Sequence, residues 1–487
     1  MQFLPLFTAM ISLYLIPIST PEKLLFAMTH FRHGARAPNS IDSQSLDKTK
    51  EKWTTPGELT AVGMRMQYLL GLRNRKRYIE DYKLLSPIYD PHEIFVYSTR
   101  FNRTLMSVYS QLQGLYPHKE EIGAVLSEEQ EISAVPQVDI SDSYIQDEIE
   151  LMNNSALPNF MTAVPVRMIS SNDKLLNVRC SGNHEVYNTS MDSVIAVRYY
   201  FNEKYKKYLN TLFGNNTTSY DFSSITSFCD SFVASYTDRR EMTELKNTGV
   251  NFEELVESCY EVQKIYFRDY TLNAGDTNSD KVESSKLFQH MIQLMKQRVD
   301  DDINQVTTVD NTDFSRPKMM LVSAHDTTVS ANEIAVMNCF NLDLDDFRLP
   351  KFTAQIAFEV TRKDDSEISD ISKLTYSNYT VSYYFNDEKL LSTSLDYFIE
   401  KMDDYLWTDE EIDNYCSDNS SSSNNTDTDD DSEDSNMLVY GIVIITLWVL
   451  LVVFLIGNII LIVLYRRAKS GGSDKSVSLI GVSKSNV

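Results

Sequence analysis

The chain is 487 residues long and 42% hydrophobic, which suffices for one large or two ordinary globular domains. It carries 69 acidic residues against 45 basic ones, a net charge of −24 at pH 7. This acidic balance argues against nucleic acid as a partner, because binding to a phosphate backbone depends on Lys and Arg. Composition therefore predicts a globular protein whose ligand is not a nucleic acid.

The first residues are typical of a targeting segment. Residues 1–20 form an uncharged apolar stretch that ends in small residues, as secretory signal peptides do. The stretch has no Lys or Arg, so the exact cleavage site stays open. We expect a signal peptide over 1–20 and a folded body over 21–416 outside the cytosol.

The last part of the chain predicts a membrane anchor. Residues 417–437 are acidic and rich in Ser and Asn, which indicates a disordered stalk because such a composition cannot bury a core. Residues 438–464 are almost wholly apolar and long enough to span a bilayer. A basic cluster starts at Arg466 and places the tail, 465–487, in the cytosol. The sequence thus predicts a single-pass type I membrane protein with a lumenal or extracellular body.

The first motif that carries chemistry is FRHGARAP, residues 31–38, directly after the strand-like run 24–28. In it, His33 lies between Arg32 and Arg36. Two fixed guanidinium groups beside an imidazole suit phosphoryl transfer, since they hold phosphate oxygens while nitrogen attacks phosphorus. Open α/β sheets bind their ligands in the loops that follow strands. The motif therefore predicts a phosphate site with His33 as the nucleophile.

A second junction of this kind follows the strand-like run 94–97. The next residues lead into a helical pattern, for which Asn102 or Thr104 is the expected N-cap. Arg103 lies near that helix start, where unpaired amides and the helix dipole favour an anion. We therefore predict that Arg103 is a further phosphate ligand.

A third junction follows the strand-like run 319–322 and carries His325 and Asp326 at a predicted helix start. Alone this pair is weak, because Asp near a helix N-terminus is an ordinary cap. A parallel sheet, however, brings the ends of all three strands to one edge. The three junctions together then supply a nucleophile, several cations and a proton donor.

Between the first two junctions, a helical pattern follows a turn at residues 53–58. Its apolar residues recur near helical spacing and predict a buried face: Leu59, Val62, Met66, Leu69 and Leu70. Its basic residues lie largely off that stripe and predict a solvated face: Arg65, Arg73, Arg75, Lys76 and Arg77.

The junctions resemble those of the histidine acid phosphatases, the branch of the phosphoglycerate-mutase-like superfamily that includes prostatic and lysosomal acid phosphatases. The resemblance covers most of residues 23–416. The matching segments are FRHGARAP at 31–38, GELTAVG at 57–63, RTLMS at 103–107 and SAHDTTVS at 323–330. The chain departs from many mammalian relatives at Ala35, where they have an aspartate, and this leaves substrate preference open.

The resemblance assigns roles to six residues. By position, His33 is the nucleophile that becomes a phosphohistidine, and Asp326 is the general acid. The implied phosphate-binding groups are Arg32, Arg36, Arg103 and His325. No metal or other cofactor is implied, because arginines neutralise the charge that a metal ion neutralises in other phosphoryl-transfer enzymes.

For the body we predict an α/β fold, with a mainly parallel central sheet and helices on both faces. A smaller helical cap is expected over about 117–252. The late runs 352–360 and 380–385 alternate as strands do and predict an antiparallel edge. A single transmembrane helix completes the predicted architecture.

Five cysteines in a lumenal body predict disulfide bonds. The resemblance pairs Cys180 with Cys416 over a long range. The pairing of Cys229, Cys259 and Cys339 stays open. Several Asn-x-Ser/Thr sequons also predict a glycoprotein.

The sequence and the resemblance predict a membrane-anchored acid phosphatase that hydrolyses phosphomonoesters through a phosphohistidine at acidic pH. Two alternatives stay open: an enzyme that prefers inositol phosphates or lysophosphatidate, and a non-enzymatic surface receptor on the same scaffold. The expected partners are the substrate and the membrane. The oligomeric state is open, with a dimer as one option, and so is the choice between lysosome and cell surface.

Overall fold

The computed structural model describes residues 22–418, with gaps at 40–52, 54, 170–173, 177–190, 214–215, 241–248, 272–277, 307–312, 364 and 366–367. The chain divides into two units, Met1–Ser421 and Ser422–Val487, and every described residue belongs to the first. The predicted signal peptide, transmembrane span and tail lie outside the described residues, as does most of the stalk. None of the described helices is long and apolar enough to cross a membrane.

The described unit is built on a seven-stranded sheet of order β3-β2-β4-β1-β5-β6-β7. The strands are β1 (Glu22–Arg32), β2 (Ile94–Ser98), β3 (Arg167–Met168), β4 (Met319–Ala324), β5 (Gln355–Lys363), β6 (Tyr379–Phe385) and β7 (Glu388–Ser394). The pairs β1–β4, β2–β4 and β2–β3 are parallel, and β1–β5, β5–β6 and β6–β7 are antiparallel. The sheet is therefore mixed, and our prediction of a mainly parallel sheet is wrong for the half beyond β1.

The predicted late strands are confirmed as antiparallel, but β5 is not an edge strand. It pairs with β1 on one side and β6 on the other, and all its residues except Lys363 are buried. The strand also begins three residues later than predicted, because residues 352–354 form a turn. That turn lies over the candidate site described below.

Helices cover both faces of the sheet. They are α1 (Ala61–Arg75), α2 (Asn102–Leu115), α3 (Glu128–Ser133), α4 (Ser143–Met152), α5 (Asp192–Phe213), α6 (Phe222–Thr237), α7 (Phe252–Ile265), α8 (Ser279–Ile303), α9 (Asp326–Cys339), α10 (Leu395–Tyr405) and α11 (Asp409–Asp418). On one face, Phe26 and Met28 of β1 join a core with α8, α9 and α10. On the other face, Ala27 and Phe31 of the same strand join a core with α2. Side chains of one strand alternate between the two cores, as the pleat of a strand requires.

A second, helical core forms from α5, α6 and α7, with Phe201, Phe232 and Leu255 fully buried in it. We refer to it as the α5–α7 core. The predicted cap, 117–252, contains α5 and α6 but also β3, which belongs to the main sheet. The cap boundaries therefore stay a prediction.

The structure shows one of the disulfide pairings that the sequence leaves open. Cys229 of α6 and Cys259 of α7 form a disulfide that closes a sequence separation of 30 residues. Cys339 is a free, buried cysteine. Cys416 is disulfide-bonded. Its predicted partner, Cys180, lies outside the described residues, so that pairing stays a prediction.

Our prediction for the buried face of α1 is only partly correct, since Leu59 just before the helix is buried and Leu70 packs against the core, but the helix itself buries a different face. The buried residues are Gly63, Gln67, Gly71 and Asn74, whereas Leu69 of the predicted stripe is 56% exposed. A Cβ atom on Gly71 would lie 2.0 Å from the Gln111 carbonyl oxygen of α2. The two helices thus meet backbone to backbone over small and polar residues, a contact that hydrophobic periodicity does not reveal.

Part of the predicted basic face is also not solvated, since the side chains of Arg75 and Arg77 are 12% and 22% exposed. Arg77, in the π-helical turn after α1, forms a bidentate ion pair with the buried Glu359 of β5. Tyr78 donates a hydrogen bond to the same carboxylate at 3.0 Å. This network links the turn after α1 to β5, and it binds the Arg77 guanidinium to Glu359 rather than to a ligand at the surface.

Candidate active site

The three strand-to-helix junctions meet at one edge of the sheet, as predicted. Arg32 at the end of β1 is in register with Ala324 at the end of β4, and Ser98 of β2 is in register with Ser323. Beyond the strands, the His33 amide still donates to the Ala324 carbonyl at 3.0 Å. The parallel half of the sheet thus aligns the carboxyl ends of β1, β2 and β4.

His33 is held in one orientation and one tautomer. The side chain is 1% exposed, and its Nδ1 lies 2.9 Å from the carbonyl oxygen of Gly34. Because a carbonyl only accepts, Nδ1 carries the proton, and the lone pair of the neutral ring is on Nε2. Burial lowers the pKa of His33 well below its usual value, and Arg32, Arg36, Arg103 and His325 lower it further. The ring is therefore a neutral nucleophile even at mildly acidic pH.

Gly34 holds the nucleophile loop against α1 and α2. A Cβ atom there would lie 2.4 Å from the Gly63 carbonyl oxygen, so no larger residue fits without backbone movement. The Gly34 amide also donates to the Ser107 hydroxyl of α2 at 3.0 Å. These contacts are why glycine is required beside His33.

Arg32 is the most deeply buried cation of the site, at 2% exposure. Its Nη1 donates to the Pro350 carbonyl at 2.9 Å, and its Nη2 forms an ion pair with Asp326 Oδ2 at 2.6 Å. The Phe352 ring lies 4.3 Å from the guanidinium carbon. Arg32 thus has a fixed position and a direct link to the predicted general acid.

Arg36 is held by a carboxylate that the sequence does not reveal. Its Nη1 and Nη2 donate to Asp230 of α6 at 3.1 and 2.9 Å, and Nη1 also donates to the Ala37 carbonyl at 2.9 Å. Asp230 follows Arg36 by 194 residues, and no motif marks it. The only sequence hint is a lone acid in an otherwise uncharged helix.

Arg103 is the second residue of α2, as predicted, and its guanidinium lies 4.4 Å from the Phe101 ring. The cap prediction for this helix is wrong. The N-cap is Phe101 without a side-chain bond, whereas Asn102 donates to Glu58 at 3.0 Å. Thr104 instead lies 2.8 Å from the Phe101 carbonyl oxygen, to which its hydroxyl donates. Arg103 acts on the pKa of His33, which places both in one electrostatic environment.

His325 is positioned by a chain of hydroxyl groups. Thr104 donates to a carbonyl, so Thr99 donates to Thr104 at 2.8 Å and accepts from His325 Nε2 at 3.0 Å. The ring centroids of His33 and His325 are 5.7 Å apart. Thr99 is thus a supporting residue that sequence reasoning missed, although it lies at the predicted second junction.

Asp326 is the first residue of α9. Its Oδ1 accepts the Thr327 amide at 3.0 Å, while Oδ2 pairs with Arg32. The side chain is 17% exposed, so solvent reaches it. The structure therefore brings all six predicted site residues to the same edge of the sheet.

The turn before β5 covers the site, and sequence reasoning missed it. Thr353 adopts φ +66°, which is rare for a β-branched residue and marks local strain. Its backbone amide donates to the His33 carbonyl at 3.2 Å, and the backbone amide of Arg32 donates to the Ala354 carbonyl at 2.9 Å. Phe352 at the tip contacts Arg32 and lies 5.8 Å from the His33 ring. The turn thus holds an aromatic ring beside the nucleophile.

In the described part of the chain, no group of three or more His, Cys, Asp or Glu side chains is placed to hold a metal ion. Three arginines lie around the neutral imidazole of His33, and the Asp326 carboxyl group pairs with one of them, Arg32. A mixed α/β fold with this arrangement at strand ends is chemically suited to holding a phosphoryl group next to a histidine.

Comparison with known families identifies this class. The histidine phosphatase superfamily (branch 2) matches residues 23–386, which is most of the chain. The chain belongs to this family. The matched range includes all six site residues and all strands except β7.

Curated relatives match over shorter segments. Testicular acid phosphatase of Mus musculus is 42% identical over 111 residues, 22% of this chain and 25% of the relative. Lysosomal acid phosphatase of Xenopus laevis is 39% identical over 104 residues, 21% of this chain and 23% of the relative. Lysophosphatidic acid phosphatase type 6 of Bos taurus is 33% identical over 121 residues, 25% of this chain and 28% of the relative. The chain thus spans about a quarter of the length of these relatives in the aligned segments.

Among solved structures, the phytase from Citrobacter braakii aligns with a TM-score of 0.47 and 14% sequence identity. The alignment covers 79% of this chain and 98% of the phytase.

Proposed function

We propose that the protein is a membrane-anchored acid phosphatase that hydrolyses phosphomonoesters through a phosphohistidine on His33. One observation carries the proposal: a buried imidazole, neutral and with its lone pair fixed on Nε2, lies among three arginines. Such an environment suits a nucleophile whose target is a phosphate, because the cations bind oxygens and do not protonate the attacking nitrogen.

In the first displacement, Nε2 of His33 attacks phosphorus and the P–O bond to the leaving group breaks. Arg32, Arg36, Arg103 and His325 hold the equatorial oxygens and neutralise their charge. Asp326, in its protonated form, gives its proton to the leaving oxygen, so that an alcohol departs. In the structure the Asp326 carboxylate pairs with Arg32, which keeps this side chain next to the phosphate-binding group before it takes up its proton.

In the second displacement, water attacks the phosphohistidine and the P–N bond breaks. The Asp326 carboxylate takes a proton from that water and is ready for the next cycle. Inorganic phosphate leaves, and His33 returns to its neutral state with the proton on Nδ1. Every proton that Asp326 gives in the first step is thus regained in the second.

An acidic working range follows from the opposite protonation that the two groups need. His33 must be neutral to attack, and its lowered pKa allows this at acidic pH. Asp326 must carry a proton to act as the acid. A lysosomal or acidified external setting is therefore part of the proposal.

The test is His33→Ala with p-nitrophenyl phosphate at acidic pH. We expect activity to be lost, while His92→Ala, which removes a surface histidine that contacts Asp90 and Phe314, keeps it. Normal turnover by His33→Ala would overturn the mechanism. An inactive wild-type protein would instead support the surface-receptor alternative.

Lysophosphatidate is a second candidate substrate, favoured by the similarity to the lysophosphatidic acid phosphatases named above. A panel of lysophosphatidate, an inositol phosphate and a simple phosphomonoester would rank the three by kcat/KM. A preference of about tenfold or more for lysophosphatidate, equal to about 1.4 kcal/mol, would make it the substrate class. Equal values would favour a general phosphomonoesterase.

We further propose that the apolar stretch 438–464 anchors the enzyme, with the body over 21–416 on the lumenal or outer side. Carbonate extraction and protease protection of a C-terminally tagged protein test this. The protein should stay with membranes, and protease should remove only the tag from sealed vesicles. Release by carbonate would contradict the anchor. Imaging of the same protein separates lysosome from cell surface.

A further inference from the structure

Asp230 is an acid that reaches the site from the α5–α7 core. Both its carboxylate oxygens accept from Arg36, Oδ2 from Nη1 at 3.1 Å and Oδ1 from Nη2 at 2.9 Å. Oδ2 also accepts the backbone amide of Asn39 at 2.9 Å. The carboxylate thus fixes the guanidinium and the loop beyond it together.

The ion pair between Asp230 and Arg36 occupies one side of the guanidinium group. A planar guanidinium has two edges that can bind an oxyanion bidentately, Nη1 with Nη2 and Nε with Nη2. Asp230 takes the first edge, and the second N–H of Nη1 goes to the Ala37 carbonyl. Asp230 therefore fixes the plane of the whole guanidinium group of Arg36.

The position of Asp230 is itself fixed by a covalent bond. Its neighbour Cys229 is fully buried and forms the disulfide with Cys259 of α7. Ile225 and Phe232 anchor the same helix in the α5–α7 core. The side chain of Asp230 is 21% exposed and that of Arg36 is 5% exposed, so little water competes for the pair. A rigid helix thus presents this carboxylate to a buried arginine.

We propose that Asp230 is a positioning residue: from the α5–α7 core it orients Arg36 and thereby sets the affinity of the site for phosphate. The inference rests on the proposed function, since it assigns Arg36 to phosphate. Asp230 does not touch the reacting atoms in this account. Its effect passes through the guanidinium, and the geometry of the helical core becomes part of phosphate recognition.

The test measures the dissociation constant of inorganic phosphate by calorimetry, together with its inhibition constant against p-nitrophenyl phosphate. Asp230→Ala should weaken phosphate binding at least about tenfold, because a preorganised bidentate group is lost. Asp230→Asn keeps one acceptor oxygen and should weaken it about threefold. If the alanine variant fails to fold, the asparagine variant alone decides. Unchanged or tighter phosphate binding would overturn the proposal, since Asp230 would then be a bystander or a competitor of phosphate.

Two controls separate positioning from a structural role. Asp221→Asn removes the same charge from the N-cap of the same helix, where Asp221 contacts Ser224, and should leave phosphate binding unchanged. In an Arg36→Lys background, Asp230→Ala should change phosphate binding less than about twofold, because its effect acts through the guanidinium. A full tenfold effect in that background would contradict the proposal.

The two proposals fail in different ways. Calorimetry reports phosphate binding whether or not the enzyme turns over, so it tests Asp230 without relying on catalysis. A wild-type protein that binds phosphate without hydrolysing esters would refute the phosphatase function and leave the positioning role standing. A wild-type protein that does not bind phosphate would refute both.

Discussion

The active-site edge of the sheet and the α5–α7 core are stabilised in different ways. At the edge, the buried cation Arg32 is held by a carbonyl, a carboxylate and an aromatic ring. The α5–α7 core instead combines buried aromatic residues with the Cys229–Cys259 disulfide. The first region concentrates charge that favours an anion, whereas the second supplies rigidity. They meet at Arg36, which belongs to the edge by sequence and is held by the helical core through Asp230.

The difference shows what each region contributes to function. Burial, together with the cations packed around His33, lowers the pKa of His33, which is useful for a nucleophile and costly for a folded protein. The α5–α7 core is built mainly from apolar side chains, so its packing stabilises the fold without such a cost. We therefore expect changes at the edge to alter chemistry and changes in the helical core to alter stability and phosphate affinity.

The largest effect on chemistry is expected for Asp326→Asn. The variant should lose about 100- to 10,000-fold in kcat on esters of aliphatic alcohols, since these leaving groups need the proton. Esters of p-nitrophenol leave without it and should lose far less. The measurement is a comparison of kcat across leaving groups of different pKa. Equal losses on both classes would remove the general-acid role from Asp326.

A large effect on stability is expected for the paired change Cys229→Ser and Cys259→Ser. Opening a loop of 30 residues should lower the free energy of unfolding by about 3 to 4 kcal/mol. Urea unfolding followed by circular dichroism measures the loss. The matched control is Cys339→Ser, which keeps the hydrogen bond to the Lys401 carbonyl and should cost about 1 kcal/mol or less. Equal costs would show that the disulfide does not stabilise the α5–α7 core.

A smaller effect should appear as acid lability of the edge. His30 is fully buried on β1, and burial lowers its pKa from 6.5 to about 3. Below pH 6.5 the unfolded chain binds a proton there that the folded chain does not, so stability falls as the pH falls. From pH 6.5 to pH 5 this residue alone should remove about 2 kcal/mol, and the loss levels off below about pH 3.

The variant His30→Gln checks this prediction, because glutamine can still accept from Asn332 and does not titrate. Its free energy of unfolding should fall less steeply between pH 6.5 and pH 5 than that of the wild type. Parallel slopes for wild type and His30→Gln would contradict the prediction.

The smallest effect is expected for Phe352→Leu, which removes the ring next to Arg32. Loss of a cation–π contact of about 0.5 to 1.4 kcal/mol should raise KM about two- to tenfold. Phe314→Leu, which removes a ring stacked on His92 away from the site, should leave KM unchanged. A wild-type KM for Phe352→Leu would show that the turn before β5 only shields the site.

The sequence predicts the edge well, because each junction is local. A strand end lies within a few residues of His33, Arg103 and His325, and a helix also begins directly beside Arg103 and His325. Parallel pairing then brings the strand ends together. The antiparallel direction of the late strands is predicted, but the position of β5 inside the sheet is not, because it follows from long-range pairing with β1. The periodicity of apolar residues in α1 likewise does not predict its contact with α2, because Gly71 and Gly114 make that contact rather than leucines.

The other residues of the site cannot be predicted from the sequence either, because they also depend on long-range contacts. Asp230 and Phe352 contact Arg36 and Arg32 across 194 and 320 residues of chain, and no local pattern links them. Thr353 takes its strained backbone from the surrounding contacts rather than from its own preference. The pairing of Cys229 with Cys259 also depends on how α6 packs on α7, which the spacing of cysteines does not fix.

The central claim is that His33 becomes phosphorylated during turnover. The direct measurement is rapid quenching in denaturant at alkaline pH, where phosphohistidine survives, followed by mass spectrometry of the digested protein. The account predicts a transient phosphoryl group on the peptide that contains His33, absent from His33→Ala and prolonged in Asp326→Asn. Steady turnover with no phosphoryl group on His33, or with one on a different residue, would contradict it.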